Sequence, residues 1–169
     1  MLELGKSGSH GMSRGTVPVL AGEAVVATLQ ASNWKEAATA QVGERSWDYR
    51  KSEGELIGRW VEEPTDAVRL RARKISFWRG EWAVDLAGLH LQMTAASRWK
   101  GTHRYSTVGG QLAESGTTGG WSPRPTLAGA DELPLDHQVF LLWLLLVISR
   151  RNTAAVTAAT GAAVVGGSS

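Results

Sequence analysis

The sequence predicts a mainly β fold: a closed antiparallel β-barrel of more than eight strands around a central hydrophobic C-terminal helix. From Ala24 to about Trp121, short runs of alternating apolar and polar residues recur between turn residues, which is typical of half-buried strands. Residues 139–148 (VFLLWLLLVI) are apolar at every position, so this segment needs apolar neighbours on all sides. A sheet closed around one helix meets both requirements and removes exposed strand edges.

The composition indicates one ordered globular domain. The chain has 169 residues, of which 43% are hydrophobic and 20% charged, with a net charge of +2, and this excludes an intrinsically disordered chain. The sequence contains no cysteine, which excludes disulfides, thiolate metal sites and cysteine nucleophiles. Tryptophan is unusually frequent, with eight residues against two phenylalanines and two tyrosines.

The chain divides into three predicted regions. Residues 1–22 are expected to form a flexible N-terminal segment, because the first sixteen are rich in Gly and Ser and contain no apolar run. No signal peptide is predicted, since the apolar stretch 17–27 is interrupted by Pro18, Gly22 and Glu23. Residues 23–151 form the predicted barrel domain, and residues 152–169 a C-terminal tail of small residues.

The strand predictions depend on period-two alternation. In residues 45–50, Trp47 and Tyr49 share one face. Residues 77–94 are predicted to form a meander with turns at residues 79–80 and 87–88. The other predicted strands lie at residues 24–31, 36–42, 55–62, 68–77, 97–107, 110–115 and 117–122.

The helix is predicted at residues 135–151, with acidic residues near its start and Arg150 and Arg151 in its last turn. Its ten apolar residues cover about 15 Å, whereas a bilayer core is about 30 Å thick. A buried core helix is therefore favoured, with a partial or interfacial membrane segment as the alternative. Because a helix is about 10–12 Å wide and eight strands enclose little more than side chains, the barrel needs more than eight strands.

Three stretches resemble a known superfamily when taken in order. They are residues 42–50 (VGERSWDYR), the 77–91 hairpin with its DLAG turn, and Leu133-Pro134-Leu135 leading into the helix that ends at Arg150-Arg151. Together they are similar to small bacterial members of the tubby C-terminal-like superfamily, of the phospholipid scramblase and LURP-one-related type. The resemblance implies a barrel threaded by the helix, with binding to membranes or phosphoinositides and no shared catalytic centre.

A basic stretch supplies the candidate anion-binding residues. Residues 69–104 contain eight bases and two acids, and Arg69, Arg71 and Arg73 should project from one face of a strand. This face could bind phosphate, or Glu62, Glu63 and Asp66 on a neighbouring strand could neutralise it. The predicted anion-binding residues are Arg69, Arg71, Arg73, Lys74, Arg98 and Lys100.

The predicted function is a non-enzymatic binding or scaffold module that engages anionic phospholipid headgroups at a membrane surface, located in the cytoplasm or peripherally on a membrane. Alternatives are a small-ligand or protein-interaction barrel without membrane affinity, and an enzyme with a site at the barrel mouth. No catalytic residue, cofactor or metal site is predicted, since the four histidines lack metal-ligand spacing. Nucleic acid is disfavoured, because no RNP1 element is present and Trp47, Trp82 and Trp143 are assigned to the core.

Overall fold

The computed structural model describes residues 1–32, 34–76, 78–97 and 100–164, with side chains as far as Thr160. The chain forms twelve strands followed by one helix. The strands are β1 (Leu2–Leu4), β2 (Thr16–Ala21), β3 (Ala24–Ala31), β4 (Ala37–Val42), β5 (Arg45–Ser52), β6 (Glu55–Trp60), β7 (Leu70–Ser76), β8 (Glu81–Leu86), β9 (Leu89–Ser97), β10 (Thr102–Thr107), β11 (Gly110–Thr118) and β12 (Arg124–Ala128), and the helix is α1 (Leu135–Val164).

The strands close into one antiparallel barrel in which each strand pairs with its sequence neighbours and β1 pairs with both β2 and β12. The predicted barrel of more than eight strands around a hydrophobic C-terminal helix is therefore confirmed. All odd-numbered strands run in one direction. The helix follows β12 and passes through the barrel in that same direction. We call the end where α1 enters the entry end and the end where it leaves the exit end.

The core lies between the inward faces of the strands and the buried part of the helix. On β5, Trp47 and Tyr49 are 1% and 0% exposed, as the alternation predicted. The Tyr49 ring stacks on Trp143 of the helix with 5.1 Å between centroids, and it meets Phe140 edge-on at 5.4 Å. Gly58 on β6 leaves room for this ring, since a Cβ there would lie 3.0 Å from Tyr49 Cδ1. The apolar segment is thus enclosed by the chain's own sheet.

The assignment of residues 1–22 to a flexible segment outside the barrel is wrong, because β1 and β2 are barrel strands. Leu2 and Leu4 point into the core, but three residues are too few to show a period in the sequence. Pro18 is accommodated in β2 because its backbone carbonyl accepts a hydrogen bond from Gly5 N, beyond the end of β1. Gly5 lies opposite Pro18 in the register of β1 and β2, and because Pro18 has no N–H the return hydrogen bond of this pair is missing where β1 ends.

Two further boundaries differ from the predictions at the C-terminal side. The separate strand predicted at residues 117–122 is wrong, because residues 117–118 are the end of β11, residues 119–123 form a loop, and β12 begins at Arg124. The helix continues beyond residue 151 to Val164, through the region predicted to be a tail. Ala-rich sequence supports this continuation, and three threonine hydroxyls donate hydrogen bonds to the carbonyls four residues earlier.

The helix has two environments along its length. By length and composition alone, Leu135–Thr160 could cross a membrane, but half of its most apolar 18-residue stretch is buried inside the barrel. The core helix of a soluble protein passes the same test, so the length itself decides nothing. Residues 152–160 lie outside the barrel and are exposed at every position.

Candidate functional site

The predicted anion-binding residues do not form one cluster. Arg69 lies just before β7 at the entry end, and Arg71 and Arg73 point outward from that strand. Lys74 is near the end of β7, and Lys100 lies in the turn between β9 and β10, both towards the exit end. Arg98 lies outside the described residues.

Arg69 is held by groups of its own chain at the entry end. Its guanidinium donates two hydrogen bonds to Glu63, with 2.7 Å between Nε and Oε2. It also lies over the Trp60 ring at 3.4 Å, and Arg45 lies over the same ring at 4.0 Å. The hydrogen bonds from Arg69 keep the pKa of Glu63 below its usual value. This arginine is therefore already paired and stacked.

Arg71 is paired as well, although not with one of the predicted acids. Its Nη1 lies 2.8 Å from Glu55 Oε2, because the antiparallel register brings the start of β6 next to β7. Within the residues that the structure describes, neither Glu62 nor Asp66 forms an ion pair with these arginines. The sequence left open that neighbouring acidic residues neutralise these arginines. Glu63 and Glu55 do so. This pairing leaves less positive charge on this face for an external anion.

The exit end is basic and the entry end is acidic. The exit-end loops and the helix residues 149–152 contain seven bases and two acids among the described residues. The loops of the entry end contain seven acids and one base. We call the exit-end bases the basic rim: Lys6, Arg14, Lys35, Arg79, Lys100, Arg150 and Arg151. This separation gives the barrel a dipole along its axis.

Exposed tryptophans accompany the basic rim. Trp34, Trp78 and Trp121 are 96%, 85% and 105% exposed, and each belongs to a different exit-end loop. By contrast, Trp47 and Trp143 are core residues. Three large apolar side chains are therefore exposed at the same end of the barrel as the basic rim.

Where the helix leaves the barrel, hydrogen bonds and ion pairs attach it to the loop between β3 and β4. Arg151 donates two hydrogen bonds to Glu36, of which the Nη2–Oε2 distance is 2.6 Å, and Lys51 Nζ lies 3.8 Å from the same carboxylate. These hydrogen bonds keep the pKa of Glu36 below its usual range. Arg150 Nη1 donates to the Ser32 carbonyl at 2.7 Å. The direction of the helix beyond the barrel is therefore set by these contacts.

Two cavities open beside the emerging helix. One of about 330 Å³ is lined by Lys74, Arg79 and Arg151. The other, of about 640 Å³, lies between the helix and β10–β12 and combines apolar Leu145 and Ile148 with polar residues that include Lys100, His103 and Asn152. Two of the sequence-predicted residues, Lys74 and Lys100, therefore lie beside the exit-end cavities.

His103 and Ser115 lie next to each other on β10 and β11. His103 Nδ1 is 3.5 Å from Ser115 Oγ, which already accepts a hydrogen bond from the His103 backbone N–H at 2.9 Å. Burial lowers the pKa of His103 and Ser115 is 2% exposed, and none of the ion pairs among the described residues joins a carboxylate to this imidazole. Among the described residues, no group of three or more His, Asp or Glu side chains could hold a metal ion.

The sequence contained part of the signal for the exit-end site. Trp34-Lys35 and Trp78-Arg79 are visible as adjacent pairs, but only the direction of the strands shows that their loops lie at the same end.

In comparisons with protein-family models, curated proteins and solved structures, this chain gave no match. The likeness to the tubby C-terminal-like superfamily accordingly remains a prediction from the sequence.

Proposed function

We propose that this chain is a non-enzymatic binding module that attaches to membrane surfaces by engaging anionic phospholipid headgroups with its exit end. The observation that carries the proposal is the presence of three exposed tryptophans and the basic rim at the same end of the barrel. Tryptophan side chains favour the membrane–water interface, and bases are attracted to anionic lipid. The acidic entry end is repelled by such a surface, so the dipole of the barrel favours one orientation.

The proposal shifts the predicted site from the wall of the barrel to its end. Of the residues predicted from the sequence, Lys100 belongs to the basic rim and Lys74 lies beside an exit-end cavity, while Arg69 and Arg71 are paired with Glu63 and Glu55. A base close to an anionic surface contributes about 1 kcal/mol. Several such contributions, together with the burial of indole rings, support reversible attachment without a covalent lipid.

The test is sedimentation with vesicles of phosphatidylcholine containing about one-third phosphatidylserine, compared with pure phosphatidylcholine. We expect the parent protein to bind only the anionic vesicles and to be released as salt screens the attraction. The double substitution Arg79→Gln/Lys100→Gln should weaken binding about 30-fold, which corresponds to about 2 kcal/mol for two bases.

The matched control is Arg45→Gln/Arg69→Gln, which removes the same charge at the entry end. Its binding should stay within about threefold of the parent, because these side chains face away from the bilayer by more than a Debye length. Equal weakening by both pairs would refute the orientation. A parent protein that ignores anionic vesicles would refute the function.

A small-ligand barrel is the second candidate, and the cavity of about 640 Å³ favours it. Leu145 and Ile148 could contact an apolar body while Lys100 contacts an anionic group. This function needs no vesicle. It becomes the leading one if the parent protein fails to bind anionic vesicles.

A further inference from the structure

We propose that residues 152–164 of the helix insert into the membrane from one surface, so that protein surrounds the first half of α1 and lipid surrounds the second. This inference rests on the proposed function and specifies how the exit end meets the bilayer. Three observations carry it: the exposure of the extension, its lack of charge, and the internal satisfaction of its hydroxyl groups.

The extension has no charged face of the kind that a helix in water normally presents. Residues 152–160 are exposed at every position, and the sequence from 152 to 164 contains no charged residue. Val156 is 66% exposed, and the threonines at positions 153, 157 and 160 share one face of the helix, since they are spaced i, i+4 and i+7. With no charge on any face and its threonine hydroxyls bonded within the helix, the extension can accept surroundings that are apolar in every direction. Lipid provides this more naturally than a groove on one partner.

The threonine hydroxyls of the extension are already satisfied by the helix. Thr153, Thr157 and Thr160 donate to the carbonyls of residues 149, 153 and 156 at 3.0, 3.0 and 2.9 Å. A hydroxyl that enters hydrocarbon without a partner carries a large penalty, and a backbone acceptor within the same helix removes most of it. The extension therefore has no hydroxyl among its described threonines that depends on water.

The length of the extension prevents it from crossing the bilayer. Thirteen residues of helix span about 20 Å, against about 30 Å for a bilayer core, so the extension enters from one surface and is too short to reach the other. Arg150 and Arg151 lie where the extension begins, in the same exit-end region as Trp34 and Trp78. When the extension lies among the acyl chains, these bases and indole rings are therefore at the depth of the headgroups. The contacts of Arg150 with Ser32 and of Arg151 with Glu36 hold the helix in line with the barrel.

Charge argues for a bilayer over a second copy of the chain. If two copies paired their extensions, their basic rims would lie side by side in a parallel pair or face each other in an antiparallel pair, and in both they would repel. An anionic lipid surface is attracted by the same charges. A second copy is therefore an outcome that the test must detect and not the proposal itself.

The experiment uses the absence of cysteine from this sequence, which makes any introduced cysteine unique. Val156→Cys is labelled with a nitrobenzoxadiazole dye, whose emission shifts to the blue and brightens in hydrocarbon. The matched control carries the dye at Val108→Cys, a fully exposed position in a turn of the entry end. Full-length labelled proteins are mixed with the phosphatidylserine vesicles described above, with and without nitroxide quenchers on the lipid acyl chains.

We expect the dye at position 156 to brighten severalfold and to be quenched by acyl-chain nitroxides, while the dye at position 108 stays unchanged. A second variant, Val156→Glu/Ala159→Glu, should bind at least about tenfold more weakly than Val108→Glu, because charges are strongly disfavoured in hydrocarbon. Circular dichroism checks that both variants remain folded.

Each other outcome overturns the inference. If the parent binds anionic vesicles but the dye at position 156 stays in water, the insertion is refuted and the proposed function stands. If the dye is shielded without vesicles and the protein has twice its expected mass, a second copy covers the extension and the insertion is refuted. If the parent does not bind the vesicles, both proposals fail.

Discussion

Replacement of Trp143 by alanine should destabilise the protein by about 4 kcal/mol. Trp143 is 1% exposed at the centre of the barrel, and its ring lies 5.1 Å from Tyr49 and 5.7 Å from Phe140 between centroids. Burial removes about 150–250 Å² of a tryptophan from water, which at about 25 cal/mol per Å² corresponds to roughly 4–6 kcal/mol. Measured truncations of buried aromatic residues cost about 3–5 kcal/mol, so the two estimates overlap.

The free energy of unfolding is best measured by urea denaturation with far-ultraviolet circular dichroism, because eight tryptophans contribute to the fluorescence. The control is Trp121→Ala, which removes the same side chain from a position that is 105% exposed, and it should change stability by less than about 0.5 kcal/mol. A loss below about 1.5 kcal/mol for Trp143→Ala, or equal losses for both variants, would refute the enclosure of the helix by the sheet.

Two further substitutions test polar groups in and beside the core. Tyr105→Phe should leave the free energy of unfolding unchanged or raise it by about 1 kcal/mol in the same urea assay, because the buried hydroxyl has no hydrogen-bond partner among the described residues. A clear loss of stability would contradict this. Burial lowers the pKa of His103. In the unfolded chain this histidine takes up a proton near the ordinary pKa of about 6.5, whereas in the folded chain it does so only at lower pH. The free energy of unfolding is therefore larger above that pH and decreases as the pH falls. His103→Gln should weaken this decrease between about pH 7.5 and 5, although His137, whose pKa burial also lowers, retains part of it. An unchanged pH profile would show that His103 does not titrate as its burial implies.

The elements that the sequence predicted well have local signals. An apolar run at residues 139–148 identifies a helix that must be enclosed, and alternation in residues 45–50 identifies a strand, because both patterns arise from the geometry of a single element. The need for more than eight strands followed from the width of the helix alone. Strand β1 had no such signal, since its three residues become a strand only by filling the gap between β12 and β2.

The candidate site depended on relations between distant segments. Arg69 and Arg71 form an outward basic pair in the sequence, but the β6–β7 turn and register place Glu63 and Glu55 beside them and neutralise the pair. Trp34 and Trp78 are separated by more than forty residues, and they share one end of the barrel only because alternate strands of an antiparallel sheet run in the same direction. The sequence by itself determined which residues need a core. The closed sheet decided which charges and indoles stand together, since that depends on strand order and direction and not on any local pattern.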